Sequence, residues 1–395
     1  MTVDRVSVSS DVLTWARAAI GLSASEAARR IGISENVLSK WEQSALSPTI
    51  KQLRKTAKTY KLPLAVLLVE EPPIEFEPIR DYRRAPDGHT LVVSPELHAE
   101  VRRARMQREV LLEISEFAPG ILSESVEIPD ISVSTPVEDA AQELRSFIGL
   151  TMATQLAWRD RFDALNFVVD AVERNGLLVI HAARVPTAEA RGFSISESPY
   201  PVIGLNGADL PRPRLFTLMH ELTHIALNLG GVCDLHEVRT QLSVDDEVEH
   251  FCNQVAAAVL VPADDLLRLP TVAGAGPESP WPLDQLQQVA DRYSISSEAL
   301  LLRLLSLNKA SWDTYWTRKE ELEEIYATLA DEKKQRQAEA SGGPSYYVVK
   351  ARDIGHGYAH AVLEAYRSRA ISSLDVSDYL QVKYNQIPRL EQVLR

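Results

Sequence analysis

The stretch FTLMHELTHIALN, residues 216–228, contains two histidines four positions apart, with a glutamate directly after the first. On an α-helix, residues four apart differ by about 40° in direction and lie about 6 Å apart along the axis. The imidazoles of His220 and His224 can therefore meet one metal ion, with Glu221 beside that ion. This pattern is typical of a hydrolase helix, in which two nitrogens hold zinc and the glutamate takes a proton from water.

The alternative is an ordinary packed helix that contains two histidines, and a third metal ligand is needed to exclude it. A histidine ligand six residues after His224 is ruled out, because that position is glycine. The best source of a third ligand is the segment SVDDEVEHFCNQVAAAVLVP, residues 243–262. Ser243 and Asp246 form a capping pattern at its start and a proline marks its end, so a helix is predicted.

The predicted helix over residues 243–262 has one apolar stripe, formed by Val248, Cys252, Val255 and Val259. Glu249 lies about 80° from the centre of the stripe and Asp245 about 40°, so either carboxylate can turn inward. Glu247 points about 120° away on the other side and is expected to face solvent. His250 lies almost opposite the stripe and is a weak candidate.

The composition indicates a globular protein of several domains, because the chain has 395 residues and 45% apolar residues at a net charge of −13. No apolar run is long enough to span a membrane, and the first residues lack a signal-peptide pattern. The two cysteines cannot build a disulfide framework, so we expect a cytoplasmic protein without a membrane partner. Cys252 is expected to be buried, and Cys233 with Asp234 and His236 to lie in a loop.

Residues 1–70 are mildly basic, with a net charge of +4, whereas the rest of the chain carries −17. A capping box at Ser23 and Glu26 predicts the start of a helix. Gly32 ends this helix, and Ser34 opens a second one. A third predicted helix follows Pro48 and has an apolar stripe of Ile50, Leu53, Ala57 and Tyr60. Two helices joined by so short a turn form a helix-turn-helix.

A helix-turn-helix places the first residues of its second helix in the major groove of double-stranded DNA. Here these residues are Ser34, Glu35, Asn36, Ser39 and Lys40. Glu35 would repel phosphate, and so mild a charge predicts modest, salt-sensitive binding. A plain protein-binding bundle is the alternative. Such modules usually work as dimers on two half-sites, so a homodimer is compatible with this sequence.

Two further parts are expected in the middle of the chain. Residues 71–130 combine a proline-rich, charged linker with a long charged helix over 95–118, expected to be a solvated spacer or a packing arm. Residues 131–270 mix helical patterns with apolar runs at 176–182 and 201–207. These runs predict an α+β domain with a small sheet.

The end of the chain is predicted to be helical. Residues 271–332 contain a second helix-turn-helix-like unit, which is expected to pack and not to read DNA, because few of its residues are basic. A flexible break is expected over 333–347, within a final part, 333–395, that ends in a small helical element. The predicted fold class is therefore α+β, mostly α.

Several stretches together resemble the ImmA/IrrE family of metallopeptidases, fused to an XRE-type (Cro/repressor-like) helix-turn-helix. They are AARRIGISENVLSKWE (27–42), SPTIKQL (47–53), RGFSIS (191–196), PVIGLN (201–206), RLFTLMHELTHIALNLG (214–230) and EHFCNQVAAAVLVP (249–262). The resemblance implies a zincin-like domain in which Glu249 completes a Zn²⁺ site with His220 and His224. It also implies that Glu221 is the catalytic base, and that the substrate is a protein, such as a repressor-like regulator.

The expected function is that of a zinc-dependent regulatory endopeptidase, whose front module binds DNA or the repressor. The alternative is a DNA-binding transcription regulator whose metal domain senses a ligand or binds a partner without proteolysis. Arg191 and Tyr200 are further candidates, because either side chain could stabilise an oxyanion.

Overall fold

The computed structural model describes residues 5–72, 80–81, 94–122, 127–229, 231–233, 244–339 and 345–394. The chain forms two compact units. The first contains residues 1–78 and 83–103, and the second contains 79–82 and 104–395. Among the described residues, no helix is long and apolar enough to cross a membrane.

The first unit is a helical bundle. Its helices are α1 (Ser10–Ala18), α2 (Ala24–Ile31), α3 (Glu35–Glu42) and α4 (Ile50–Thr59), followed by a 3-10 helix (Leu64–Leu68) and the start of α5 (Pro95–Phe117). The core is built from residues of several of these helices, including Leu13, Leu38, Trp41, Leu53 and Tyr60. The N-terminal helical bundle that the sequence predicts is therefore present.

The helix boundaries of the first unit follow from local hydrogen bonds. Ser23 and Glu26 form the expected capping box at the start of α2. Gly32 ends α2 in the left-handed conformation, with φ 77°, which glycine adopts without strain. The Ser34 side chain accepts a hydrogen bond from the third residue of α3. Ile50 departs from the prediction, since it is 40% exposed and does not belong to the core.

The second unit contains the five described strands, which form one mixed sheet in the order β1-β5-β3-β4-β2. The strands are β1 (Arg80–Asp81), β2 (Leu178–Ala182), β3 (Gly192–Ile195), β4 (Val202–Asn206) and β5 (Gly231–Cys233). β2 pairs with β4 in parallel, while β3 is antiparallel to both β4 and β5. β1 joins β5 in parallel. The apolar runs at 176–182 and 201–207 are thus strands of a small sheet, as predicted.

Helices surround this sheet. They are α6 (Val137–Phe147), α7 (Met152–Leu156), α8 (Arg161–Arg174), α9 (Pro211–Ala226), α10 (Val244–Leu260), α11 (Ala263–Leu266), α12 (Pro270–Ala273), α13 (Leu283–Arg292), α14 (Ser297–Ser306), α15 (Trp312–Glu339), α16 (Tyr346–Ile354), α17 (His356–Arg367), α18 (Ser373–Leu380) and α19 (Ile387–Leu394). α9 contacts α8, α10 and strands β3 and β4. One apolar core runs through α6, α8, α9, α10, α13 and α14. The fold is therefore α+β and mostly α, as the sequence predicts.

Helix α5 acts as a packing arm, the second of the two expected roles. Within the second unit, Leu111 and Ile114 are buried. Gln107 donates a hydrogen bond to the carbonyl oxygen of Ile354, and Arg108 donates to the carbonyl oxygens of Glu197 and Ser198. A solvated spacer would not make such contacts.

The end of the chain packs against the sheet. α16 and α17 contact β2, and His181 Nδ1 of β2 lies 3.1 Å from the carbonyl oxygen of Arg352. The expected break over 333–347 is wrong in its first half, because α15 continues to Glu339. Leu300, Leu301 and Leu304 are fully buried, so the helix pair α13–α14 packs against the domain as predicted.

Candidate metal centre

Helix α9 carries three polar side chains in the interior of the second unit. His220, Glu221 and His224 are each completely buried. The helix begins with Pro211, whose missing N–H lies in the first turn, where no intrahelical hydrogen bond is lost. Contacts from α8, α10 and the sheet cover the helix. Burial of three ionisable side chains is costly unless they are paired or bind an ion.

Helix α10 brings Glu249 to the two imidazoles. Glu249 Oε2 lies 3.3 Å from His220 Nε2, and Glu249 Oε1 lies 3.0 Å from His224 Nε2. The two Nε2 atoms are 3.1 Å apart. One ligand atom from each residue lies within 4.8 Å of the other two. The structure therefore brings together the residues that the sequence and the family resemblance select as ligands.

The spacing of these atoms fits a metal ion. Two ligands on a tetrahedral zinc, each at about 2.0–2.1 Å, are about 3.3 Å apart. The three separations of 3.0, 3.1 and 3.3 Å between the imidazoles and the carboxylate are close to this value. Two imidazole nitrogens and a carboxylate also form a donor set that zinc prefers. The residues present fit the ion that the family resemblance implies.

The charges of the site favour an ionised carboxylate. Burial opposes the charged form of Glu249, but the two imidazoles outweigh burial and lower the pKa of its carboxyl. Burial also opposes protonation of His220, yet the Glu249 carboxylate raises the His220 pKa overall. At His224 burial dominates, and the pKa is lowered. An anionic glutamate beside two imidazoles is the protonation state that binds a divalent cation.

Asn253 is part of the site, and sequence reasoning missed its role. It lies one turn after Glu249 on α10 and is largely buried. Its side chain approaches His220 and contributes to the raised pKa of that imidazole. A polar neighbour of this kind fixes the orientation of a metal-binding histidine. The four-residue spacing from Glu249 to Asn253 was the available signal, because it places both on one face of α10.

Strand β3 approaches Glu221 closely. A Cβ atom on Gly192 would lie 2.7 Å from Glu221 Oε1 and 2.5 Å from Thr217 Cγ2. Real Cβ atoms do not approach other atoms so closely, so only glycine fits here. Gly192 therefore leaves the space that the Glu221 carboxylate occupies.

The other residues of α10 behave as the helix geometry predicts. Glu247 is exposed, and His250 is half-buried, with a pKa that burial lowers. Cys252 is fully buried in a small apolar cluster with Val248, and burial raises its pKa. The side chain of Asp245, the alternative ligand, lies outside the described residues.

The remaining candidates fall in different places. Arg191 directly precedes Gly192 and pairs with Asp209 at 3.6 Å. Tyr200 lines a different site, a cavity of about 320 Å³ that Glu173 also lines. Asp234 and His236 lie outside the described residues, as does the side chain of Cys233.

The predicted DNA-binding residues lie together on the first unit. Ser34, Glu35, Asn36 and Lys40 are exposed at the start of α3, and Ser39 is half-buried. Ser34 precedes α3 and caps it, so its hydroxyl is engaged with the helix backbone. The geometry leaves the other side chains available to a partner.

Comparison with known proteins identifies two domains. Residues 13–67 match the family model described as helix-turn-helix, and residues 173–305 match the IrrE N-terminal-like domain, a peptidase family. No curated protein matches the chain significantly. Both matches fall where the sequence resembles these families, and the second contains His220, Glu221, His224 and Glu249. The chain therefore joins an XRE-type helix-turn-helix domain to an ImmA/IrrE-type peptidase domain.

Proposed function

We propose that this protein is a cytoplasmic, zinc-dependent regulatory endopeptidase that cleaves a protein partner such as a repressor-like transcription regulator. The observation that carries the proposal is the convergence of His220, His224 and Glu249. Glu221 is buried on α9, the helix that carries both histidines. This convergence lies inside a domain of the peptidase family. A buried two-histidine, one-glutamate set with a neighbouring carboxylate is the arrangement that peptide hydrolysis requires.

The residues of the site have two proposed roles, metal binding and proton transfer. His220, His224 and Glu249 would hold zinc, which supplies Lewis acidity that polarises a carbonyl and acidifies water. Glu221 stands beside these ligands and accepts the proton of the attacking water at its carboxylate. The same group then returns the proton to the leaving amine. Burial of Glu221 strengthens its interaction with the developing charges.

The front module is proposed to bind double-stranded DNA or to dock onto the repressor. Its exposed face at the start of α3 includes Asn36 and Lys40, which suit groove contacts. Glu35 lies on the same face and weakens phosphate binding, so affinity is expected to be modest and salt-sensitive. A homodimer on two half-sites fits this type of module.

The alternative function is a transcription regulator whose metal domain senses a ligand or holds a partner without cutting it. The same ligand set would serve that role, so only a variant of the proposed base, Glu221, can distinguish the two functions. In cells, newly formed protein N-termini are compared between wild type and Glu221→Gln. A partner that is cut only by the wild type supports the endopeptidase. If Glu221→Gln keeps the full biological effect, proteolysis is not the function.

Metal content tests the site itself. Mass spectrometry of the purified protein is expected to find one zinc per chain in wild type and in Glu221→Gln. Glu249→Ala should lose the metal because it removes one of three ligands. Glu247→Ala is the matched control, since this glutamate is exposed on the same helix. Equal metal content in Glu249→Ala and Glu247→Ala would contradict the proposed site.

A further inference from the structure

The end of the chain repeats a backbone feature of the first unit. α18 ends at Leu380, and the next residue, Gln381, adopts the left-handed conformation with φ 51° and ψ 44°. Gly32, the residue after α2, has φ 77° and ψ 44°. The next residue closes the turn in the same way in both places. Val382 N–H donates to the carbonyl oxygen of Ser377, five residues earlier, as Ile33 N–H does to Ala28. In both segments a helix therefore ends in the same type of tight turn. At the end of the chain, a 3-10 helix (Tyr384–Gln386) leads from this turn into α19.

The buried residues also repeat at the same positions relative to the left-handed residue. They are Ala27, Ile31, Leu38 and Trp41 around Gly32, and Val376, Leu380, Ile387 and Leu390 around Gln381. The same faces of the helices are therefore turned inward in both segments. At the end of the chain, α18 packs against α17 and α19 packs against α16. Residues 373–394 therefore have the inward-facing pattern of the helix-turn-helix in residues 13–67, although they lie outside both segments that match known families.

The exposed face of the C-terminal pair carries groups that bind DNA. The exposed residues at equivalent positions are Ser34, Glu35, Asn36, Lys40 and Gln43 in the first unit, and Lys383, Tyr384, Asn385, Arg389 and Gln392 at the end of the chain. The second set has two cations, two amides and a phenol, and lacks the counterpart of Glu35. Arginine, asparagine and glutamine are the side chains that read base edges, and lysine binds phosphate.

Of the three acidic residues on α18 and α19, two are engaged by other groups of the protein and one is exposed on α18. Glu391 pairs with Arg367, and Asp375 caps its own helix by accepting a hydrogen bond from the Ser372 backbone. Asp378 is exposed on α18 and is the remaining acid of the two helices. The face that begins at Lys383 therefore keeps a net positive charge.

The pair α13–α14 shows that the fold alone does not produce such a face. Ser294 takes the left-handed position there, with φ 58°. The residues equivalent to Tyr384 and Pro388 are Ser297 and Leu301, and both are buried. In α13–α14 these positions of the second helix are covered by packing. In the C-terminal pair the equivalent positions are exposed to solvent.

We infer that residues 373–394 form a second helix-turn-helix that binds double-stranded DNA. Asn385, in the 3-10 helix before α19, and Arg389, in α19, lie in the major groove, and Lys383 contacts the phosphate backbone. The geometry of the turn and the buried positions match those of the first helix-turn-helix, and the cationic, amide-rich face points to DNA as the partner. The inference concerns DNA binding and is independent of the metal centre.

The test uses the full chain with Asn36→Ala and Lys40→Ala, which remove two proposed DNA contacts of α3; this protein is called the silenced chain. Duplexes of about thirty base pairs with a randomised centre, long enough for one module and its flanks, are selected for binding. Affinity for the selected duplex is measured by fluorescence anisotropy at several NaCl concentrations. Adding Lys383→Ala and Arg389→Ala is expected to weaken binding at least about tenfold and to lower the salt slope by about one, because only Lys383 of this pair contacts a phosphate.

Arg159→Ala with Arg268→Ala is the matched control, since both arginines are exposed elsewhere in the same unit. Asn385→Glu is an independent variant, which places a carboxylate at the groove and should abolish selection of the duplex. Circular dichroism checks that each variant remains folded. The inference is overturned if the silenced chain selects no duplex, or if the Lys383 and Arg389 variant binds as the control does. Binding through this face to a protein alone would give the same negative result.

Discussion

Glu221 depends on a neighbouring strand as well as on its own helix. The Cα of Gly192 in β3 lies so near that any side chain there would meet Glu221 and Thr217. The positions of the three residues are coupled, since Thr217 and Glu221 stand one turn apart on α9. The proposed base is therefore positioned next to a glycine that has no side chain to contribute to the chemistry.

Gly192→Ala is expected to displace the Glu221 carboxylate without removing a metal ligand. The added methyl would lie 2.7 Å from Glu221 Oε1, so the carboxylate must shift. A misplacement of about 1 Å can cost about 100-fold in rate. Cleavage of the partner found by N-terminus labelling should fall by that order, while zinc content stays at the wild-type level. Gly274→Ala, whose methyl meets nothing within 4 Å, is the control; an unchanged rate in Gly192→Ala would count against the coupling.

The ligand residues could be predicted from sequence because their signal is local. His220, Glu221 and His224 lie within five positions on one helix. The apolar stripe of α10 allows Glu249 and Asp245 to turn inward, and the family resemblance selects Glu249. The approach of Gly192 to Glu221 and of Asn253 to His220 could not be predicted in the same way. These contacts join separate elements, and their geometry depends on how the sheet and the helices pack.

At the scale of elements, helix starts were predictable where side chains cap the backbone. The predicted capping box at Ser23 places α2 correctly, because its hydrogen bonds are made within four residues. The structure adds a second capping box at Thr49, which opens α4 directly after Pro48. Periodicity failed where burial depends on neighbours, as at Ile50, which is 40% exposed. The mixed pairing of the sheet was also not predictable, since β5 adds beside β3 only through contacts distant in sequence.

The docking of α17 onto α8 and β2 is expected to depend on pH through Glu173. This carboxyl lies beneath α17, where Gly357 N–H donates to it at 3.1 Å. Burial raises the Glu173 pKa to about 8, well above its value in an unfolded chain. Because the neutral acid is the form that folding favours, its contribution is complete below about pH 4.5 and is lost as the pH rises through 8.

Glu173→Gln is expected to remove this dependence, since the amide stays neutral and its oxygen can still accept from Gly357. Urea unfolding of both proteins is measured from pH 4 to pH 9. The variant's advantage in free energy of unfolding should be near zero at about pH 4 and grow by at most about 1.4 kcal/mol per pH unit up to about pH 8. Asp163→Asn, at an exposed acid on the same helix, is the control. A pH-independent difference would mean that the Glu173 carboxyl has the same pKa in the folded protein and in the unfolded chain.

At the scale of the whole molecule, the chain has two compact units with separate apolar cores. The core of the first unit is formed by residues between Val12 and Leu67, and the main core of the second by residues between Ile131 and Leu322. The proposed zinc ligands all belong to the second unit. The two units therefore differ in whether a metal ion can contribute to their stability.

Zinc is expected to stabilise the second unit and not the first. An ion that binds only the folded state adds about 2.7 kcal/mol when its free concentration is a hundredfold above Kd. For a unit of this size, that should raise Tm by several degrees. Scanning calorimetry with zinc and with a chelator should move the transition of the second unit alone. Glu249→Ala should abolish the shift, while Glu247→Ala should keep it, because only Glu249 lies at the two imidazoles. An equal shift in the transition of the first unit would place the stabilising ion elsewhere in the chain.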